Sequence, residues 1–306
     1  MFKFIAKRIG QSIVVLFVII TVTFFMVRLA PGDPFSQERK MPEHIKQSLM
    51  AHYGLDKPVL VQYGNYLKNL VKGDLGPSYV ETRSVNKILA SSFPVSLELG
   101  AWALLIALCI GLPVGITAAV FKNSVADYLP MSIAMLGICL PTFVLGPILA
   151  LVFGVWLGWF NVSGWFIAAD RVLPALTIGL VYAAIIARIT RGGMLEILSQ
   201  DFIRTAKAKG VPFPRIIFFH TLKGGLLPVI SYLGPALAGI ISGSFVVETI
   251  FQIPGMGRQF VSSAFNRDYT LVLGTVILYA TLITLANLIV DVIQVIINPR
   301  LRFEDS

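Results

Sequence analysis

Six long apolar blocks constrain the fold of this 306-residue chain more than any other feature. They cover roughly residues 9–29, 97–121, 131–157, 172–190, 227–250 and 271–297. A helix needs about 20 apolar residues to cross the hydrocarbon core of a bilayer, and lipid leaves no partner for an unpaired backbone group. The sequence therefore predicts an all-α, polytopic membrane protein with six transmembrane helices. The composition, 56% hydrophobic and 13% charged, is typical of that class.

The distribution of basic residues predicts how these spans are oriented. Short cytoplasmic loops of membrane proteins carry an excess of Lys and Arg. One set of segments holds Lys3, Lys7, Arg8, Lys122, Arg188, Arg191, Arg204, Lys207, Lys209, Arg215, Lys223, Arg300 and Arg302. The short loops on the other side hold only Arg171, Arg258 and Arg267. We therefore expect both termini inside. The same clustering accounts for the net charge of +9, and no basic module of a known type points to nucleic acid.

Residues 1–95 are interpreted as one span followed by a long extracytoplasmic loop. The apolar run is longer than the core of a signal peptide and lacks a small-residue cleavage site after it, so we expect it to be uncleaved. The loop should contain two amphipathic helices, over residues 41–53 and 56–73, with proline near each start and glycine after each end. These helices should fold over the external mouth of a core domain, residues 96–306, either as a lid or as part of the surface that a solute-delivering protein meets.

A short basic helix is expected in the loop 191–226, between two of the spans. Asp201 can accept free amide hydrogens at a helix start, and Gly210 can adopt the left-handed conformation that ends a helix. Lys207 and Lys209 lie in the last turn, where the helix dipole favours cations. A helix of about two turns cannot cross a bilayer that needs ~20 residues, so it must lie at the membrane surface or dock onto a partner. We interpret it as a docking element.

The same residues carry a family resemblance. RTAKAKG followed by PRIIFFHTLKGGLLP resembles the cytoplasmic coupling loop in permease subunits of bacterial ATP-binding-cassette importers. In the family pattern of Glu-Ala-Ala, three residues and Gly, Arg204 stands at the Glu position, Thr205 and Ala206 at the Ala positions, and Gly210 at the Gly position. The family's later Leu-Pro pair is replaced by Leu-Lys at residues 222–223.

These two differences from the general family pattern resemble the sequences of the oligopeptide, dipeptide and nickel branch of that family. Further matching stretches extend the resemblance over nearly the whole chain: RLAPGDPF at 28–35, SFPVS at 92–96, ETIFQIPGMG at 248–257 and NRDYTLVLG at 266–274. The chain most resembles the first of the two permease subunits of oligopeptide importers, which implies the type I importer permease fold and a bacterial inner-membrane location.

The resemblance also implies partners. Such permeases pair with a second, similar permease, bind two cytoplasmic ATPase subunits, and receive substrate from an extracytoplasmic peptide-binding protein. The resemblance implies that the residues that couple the permease to the ATPases are Asp201, Arg204, Thr205, Ala206, Lys207, Ala208, Lys209 and Gly210. The outer segment after the fifth span could contribute to docking of the binding protein, or it could be a simple tight turn. The residues that would take part in docking are Pro254, Gly255, Gly257, Arg267 and Asp268. Substrate-lining residues cannot be identified from the sequence.

The chain carries no recognisable catalytic or nucleotide-binding motif of its own. It has no GxxxxGK[ST] loop, no nucleophile elbow and no HExxH. We therefore expect a transport subunit and not an enzyme, with no cofactor in this chain and with ATP and Mg²⁺ bound by the partner ATPases. The substrate could be oligopeptides, dipeptides or nickel chelates. An ion-gradient-driven secondary transporter is the main alternative, disfavoured because no carboxylate or histidine lies deep in a span; a membrane enzyme and a purely structural subunit also stay open.

Ionisable residues and cysteines inside the spans give further expectations. Arg188 and Asp291 lie toward the inner ends of their spans and could form a pair, because a charge in hydrocarbon usually has a partner. Glu248 lies at the outer end of the fifth span. Cys109 and Cys139 lie in apolar spans without metal-binding or redox spacing, and we expect buried free thiols.

Overall fold

The computed structural model describes residues 2–29, 43–81 and 83–297, and within these ranges the regular structure is helical, with a single isolated β-bridge between Pro77 and Ser84. The α-helices are α1 (Phe2–Leu29), α2 (Glu43–His52), α3 (Val59–Val71), α4 (Val85–Val120), α5 (Val125–Cys139), α6 (Thr142–Leu149), α7 (Val172–Leu198), α8 (Asp201–Ala208), α9 (Phe213–Arg215), α10 (Leu222–Gly225), α11 (Leu227–Ile250), α12 (Met256–Phe265) and α13 (Tyr269–Ile297). Two π-helical segments, Ala150–Trp156 and Ile216–Thr221, continue α6 and join α9 to α10.

Among the described residues, five helices are long and apolar enough to cross a membrane, and α5 with α6 supplies a sixth span if that bent pair counts as one. The pair bends by 109° at a short break, although the same residues form one continuous apolar block in the sequence. Pro141 stands at this break: proline disfavours the helical conformation in the residue before it, and Leu140 is extended. The block expected as one span over residues 131–157 is therefore sharply bent near Pro141.

The centre of the molecule is the contact between α4 and α7. Small residues let the two backbones approach closely, as is common between membrane helices. A Cβ atom at Gly115 would lie only 2.5 Å from the Ala187 carbonyl oxygen, and one at Gly179 would lie 2.8 Å from that of Ala103. Around this contact, the main cluster of buried side chains joins α4, α7 and α11 and includes Leu99, Leu173, Ile178, Ile240, Val247 and Phe251.

The helices run between two ends of the molecule, which we name the α8 end and the α12 end after the short helix at each. α7 leads into α8 and α11 leads into α12. α1 begins at the α8 end, because Arg8 forms an ion pair with Asp291 near the end of α13, with Nε to Oδ2 at 3.3 Å. Asp291 therefore pairs with Arg8, which corrects the expected pairing with Arg188, an exposed residue on α7.

A partly buried ion pair joins α5 to α7 at the α8 end. Arg191 donates from Nε and Nη2 to the two carboxylate oxygens of Asp127, at 2.7 and 2.8 Å, and the Asn123 amide donates to Oδ2 at 2.9 Å. Such a two-pronged contact fixes direction as well as distance. It ties the first half of the bent span to the helix that leads into α8.

The N-terminal region packs as a unit at the α12 end. Phe24 of α1 stacks on Tyr66 of α3 and contacts Tyr63, whose hydroxyl shares a 2.7 Å hydrogen bond with Thr21. The helices expected over 41–53 and 56–73 are observed as α2 and α3. Residues 30–42, most of the RLAPGDPF stretch, lie outside the described residues, as do Arg300 and Arg302.

Three further details differ from expectation. α4 begins at Val85, twelve residues before the apolar block at 97, since its first turns pack against Met256 and Leu271. The segment after the fifth span contains a ten-residue helix, α12, as well as the expected turn. Cys109 and Cys139 are free thiols but are exposed on this chain, so the expectation of burial is wrong.

Candidate coupling and docking sites

The short helix α8 has the expected length, but its start is built differently. Its first helical residue is Asp201, and Gln200 before it makes no capping hydrogen bond through its side chain. The Asp201 side chain lies 3.8 Å from Arg204 and is nearly fully exposed. Asp201 therefore does not cap the helix as predicted; its charge still lies in the first turn, where the dipole favours an acid.

The end of α8 is closed by Gly210 in the left-handed conformation, with φ +72°. The Gly210 amide donates to the Lys207 carbonyl at 3.0 Å, and the Val211 amide donates to that of Ala206 at 3.2 Å. These bonds satisfy carbonyls that a helix end leaves unpaired, which is the usual role of a glycine at this position. The prediction that Gly210 ends this helix is confirmed.

One side of α8 is fixed to its own chain. Ile203 and Ala206 are buried, and they pack with Ile216 and the partly buried Val211. Ala206 was expected on the face that approaches a partner, together with Ala208. In the structure only Ala208 is exposed, so Ala206 belongs to the internal contact.

The other side of α8 is open. Arg204, Thr205, Lys207, Ala208 and Lys209 are exposed, as the sequence predicted. Phe202 is also exposed, to 49%, and was not singled out from the sequence. Adjacent residues of a helix point in different directions, so Phe202 cannot share one narrow buried face with Ile203. The exposure of Phe202 could have been inferred from the sequence on this ground. Nearby Phe213 is 44% exposed, and the Lys207 Nζ lies 5.8 Å from its ring centroid.

A close contact connects α8 to the spans. After α8, the chain returns through α9, the π-helical segment and α10 to α11. A Cβ atom on Gly193 of α7 would collide with the Gly225 carbonyl of α10, and one on Gly225 would lie 2.9 Å from the Met194 sulfur. Ile217 and Met194 are buried in one cluster with Ala119 of α4. The segment that follows α8 is thus closely packed against α7 and α4.

At the α12 end, Glu248 organises the turn between α11 and α12. Its carboxylate is fully buried and accepts hydrogen bonds from the Ser96 and Ser244 hydroxyls, at 2.8 and 2.9 Å. It also accepts from the amides of Gly257 and Arg258, at 2.7 and 3.2 Å. The Met256 amide donates to Ser96 at 2.8 Å. The matched stretches SFPVS and ETIFQIPGMG therefore meet at one carboxylate.

The residues expected to dock a binding protein divide into exposed and buried groups. Pro254 is exposed, whereas Gly255 and Gly257 are buried against Glu248. Asp268 is buried as well: it accepts from the Ser78 hydroxyl, and the Thr270 hydroxyl donates to it at 3.0 Å. Arg267 is half-buried with φ +57°. Gly255, Gly257 and Asp268 thus shape the surface from within, and the docking role of all five residues stays a prediction.

The fold and its two ends define a class of protein: a multi-pass membrane subunit that presents a short, rigid, basic helix outside its spans. The family of binding-protein-dependent transport system inner membrane components matches residues 111–303, and the N-terminal domain of the same kind of membrane component matches residues 1–100. The chain belongs to this family. It is therefore a permease subunit of a binding-protein-dependent ABC transport system in the inner membrane, as the coupling-loop resemblance implied.

Relatives match over their full length. The chain is 49% identical to the oligopeptide transport system permease protein OppB of Haemophilus influenzae, covering 99% of this chain and 100% of that protein. It is 42% identical to the dipeptide transport system permease protein DppB of Bacillus subtilis, covering 99% and 98%. Family membership sets aside the ion-gradient-driven secondary transporter that the sequence had left open.

Solved structures support the fold. An inward-facing structure of the MetNI methionine ABC transporter matches with a TM-score of 0.57 and 17% identity, covering 69% of this chain and 96% of that chain. An amino acid ABC transporter matches with a TM-score of 0.53 and 14% identity, covering 70% and 94%. The chain has the fold of ABC importer permeases.

Proposed function

We propose that this chain forms half of the translocation pathway of an ATP-driven oligopeptide importer. The full-length similarity to OppB permeases supports the substrate class. The chain would act with a second, similar permease, two ATPase subunits and an extracytoplasmic peptide-binding protein. The observation that carries the mechanism is α8, which is fixed to the chain by Ile203 and Ala206 while its opposite face lies open.

In this proposal the ATPases bind α8 by contacts with the aromatic ring of Phe202 and with the charged groups of Arg204, Lys207 and Lys209. An exposed aromatic with basic neighbours is the composition typical of a strong contact point in an interface. Nucleotide-driven closure of the ATPases would move α8, and the packing of Gly225 on Gly193 would pass that movement to α7. The pathway would then switch between its inward-open and outward-open states.

The opposite end would face the binding protein. In the proposed orientation both termini and α8 are cytoplasmic, and the α12 end is extracytoplasmic. Pro254 and the exposed side of α12 would take part in docking, on a turn held in shape by Glu248. The N-terminal helices α2 and α3 lie at the same end and would add to this surface.

Dipeptides are a second candidate substrate, favoured by the full-length similarity to DppB of Bacillus subtilis. The binding protein selects the substrate in either case. A transport assay that compares peptides of two to five residues would separate the two candidates.

The test of this proposal is purification of the tagged chain in mild detergent, followed by mass spectrometry and an ATPase assay. We expect a second permease and ATPase subunits to co-purify, with ATPase activity raised by peptide-loaded binding protein. Phe202→Ala should reduce ATPase recovery by about tenfold, because truncating an interface aromatic costs roughly 1 to 2 kcal/mol. Phe265→Ala, which removes an exposed ring at the α12 end, is the matched control and should retain the ATPases. A chain that elutes alone and without ATPase activity would contradict the proposal.

A further inference from the structure

A cavity of about 310 Å³ lies at the α12 end, beside the helices proposed to add to the docking surface. It is enclosed by the last turn of α1, the turn between α2 and α3, one face of α3, residues 74–79 and the start of α13. Its volume is at the lower limit of pockets that hold small organic ligands. Three tyrosines contribute to its wall, and the rings of Tyr53 and Tyr79 are 4.8 Å apart.

The side chains that line this cavity include three buried polar atoms without a hydrogen-bond partner: Nε of Arg28, Oε1 of Gln62 and the hydroxyl of Tyr66. Only two further side-chain atoms of this kind occur in the described part of the chain, at Thr190 and Tyr279, and neither residue lines the cavity. A buried polar group without a partner is costly, and a concentration of three around one cavity indicates a ligand that supplies the missing partners.

The hydrogen-bonding capacity of each atom is fixed. Gln62 donates from Nε2 to the carbonyls of Leu55 and Lys57, at 3.2 and 2.8 Å, so its Oε1 is the end left as an acceptor. Arg28 Nε can only donate. Burial raises the pKa of Tyr66, which keeps its hydroxyl protonated and able to donate. These three atoms offer two donors, one of them cationic, and one acceptor. The wall also carries other polar side chains, those of His52, Asn65, Asn69, Asp74 and Thr270.

We infer that this cavity binds a small molecule that carries a carboxylate and a nearby N–H group, the chemistry shared by a free amino acid and the end of a short peptide. The carboxylate would accept from Arg28 and Tyr66, and the N–H group would donate to Gln62. Tyr53 and Tyr79 would contact the rest of the ligand. This site lies among α1, α3 and the start of α13, and the inference goes beyond the proposed transport function.

The test is isothermal titration calorimetry on the permease complex in lipid nanodiscs, without the binding protein. The probes are glycine, glycylglycine, acetate and glycinamide. Glycine or glycylglycine should bind at least tenfold more tightly than acetate, which lacks the N–H group, and glycinamide, which lacks the carboxylate. Preference between the first two probes shows whether the ligand is an amino acid or a peptide end.

Two matched variants locate the binding. Tyr66→Phe removes one hydroxyl that has no partner among the described residues, so the fold should be kept while affinity falls about tenfold, the loss expected for a charge-assisted hydrogen bond. Tyr279→Phe removes a comparable buried hydroxyl outside the cavity and should bind as the unmodified protein does. Absence of binding by the unmodified complex, unchanged affinity in Tyr66→Phe, or an equal loss in both variants would overturn the inference. Phe202→Ala tests the transport function independently.

Discussion

At the scale of single residues, Glu248 shows how a charge is accommodated at the end of a span. All four neighbours of its carboxylate donate to it, two from hydroxyls and two from backbone amides. A buried charge is tolerated only when it is fully hydrogen-bonded. Ser96 takes part twice, since it donates to Glu248 and accepts from the Met256 amide. The carboxylate thereby fixes α4, α11 and the turn before α12 to one another.

Glu248→Gln should therefore destabilise the protein. The new amide group would place N–H hydrogens where the carboxylate accepts hydrogen bonds, leaving buried donors unpaired at a cost of about 2 kcal/mol. Thermal unfolding of the detergent-solubilised protein, followed by circular dichroism, measures the effect. Glu196→Gln makes the same chemical change at an exposed position on α7 and should leave the midpoint unchanged. Equal midpoints for the two variants would show that the hydrogen-bond network does not stabilise the fold.

At the scale of elements, α8 is held by packing along one side and by hydrogen bonds at its last turn. It has eight residues, too few for a stable isolated helix, so its order depends on packing. Ile203 and Ala206 supply that packing, and Gly210 closes the last turn. The adjoining π-helical segment, Ile216–Thr221, is buried through Ile216, Ile217 and Thr221.

Gly210→Val should uncouple ATP hydrolysis from transport while leaving membrane insertion unchanged. A β-branched residue is strained at φ +72°, although no atom lies within 4 Å of the position a Cβ would take, so the damage is confined to the backbone. The measurements are peptide uptake in vesicles and ATPase activity of the same preparation. Gly210→Asn is the matched control, since Asn tolerates the left-handed conformation, and it should keep most of the uptake. Normal peptide uptake by Gly210→Val would count against a coupling role for α8.

At the scale of the whole molecule, contacts place the start of α1 beside the end of α13, at the same end of the molecule as α8. The Arg8–Asp291 pair joins the two terminal spans at this end, and the Arg191–Asp127 pair fixes the bent span close to α8. Most basic residues of the short loops lie at the same end. This arrangement is the basis for the proposed orientation, in which the α8 end is cytoplasmic.

Single-cysteine labelling tests that orientation. In a chain with Cys109 and Cys139 replaced by Ser, Lys209→Cys at the α8 end should react with a membrane-impermeant maleimide only after the membrane is opened. Ala264→Cys, exposed on α12, should react in intact spheroplasts. Labelling with the reverse pattern would show that the α12 end is cytoplasmic and would remove α8 from reach of cytoplasmic ATPases.

The sequence by itself determined the class of protein, its apolar blocks and the presence of a short basic helix that ends at Gly210. These features are local: the bilayer sets the length of a span, and a helix end depends on a few adjacent residues. The tertiary structure alone decided which charges pair and which predicted surface residues are buried. Arg8 pairs with Asp291, Ser96 with Glu248, and Ser78 with Asp268. The two partners of each pair are separated by about half of the sequence or more. Such pairings depend on how six spans pack, and the cavity at Arg28, Gln62 and Tyr66 exists only because that packing brings α1, α3 and α13 together.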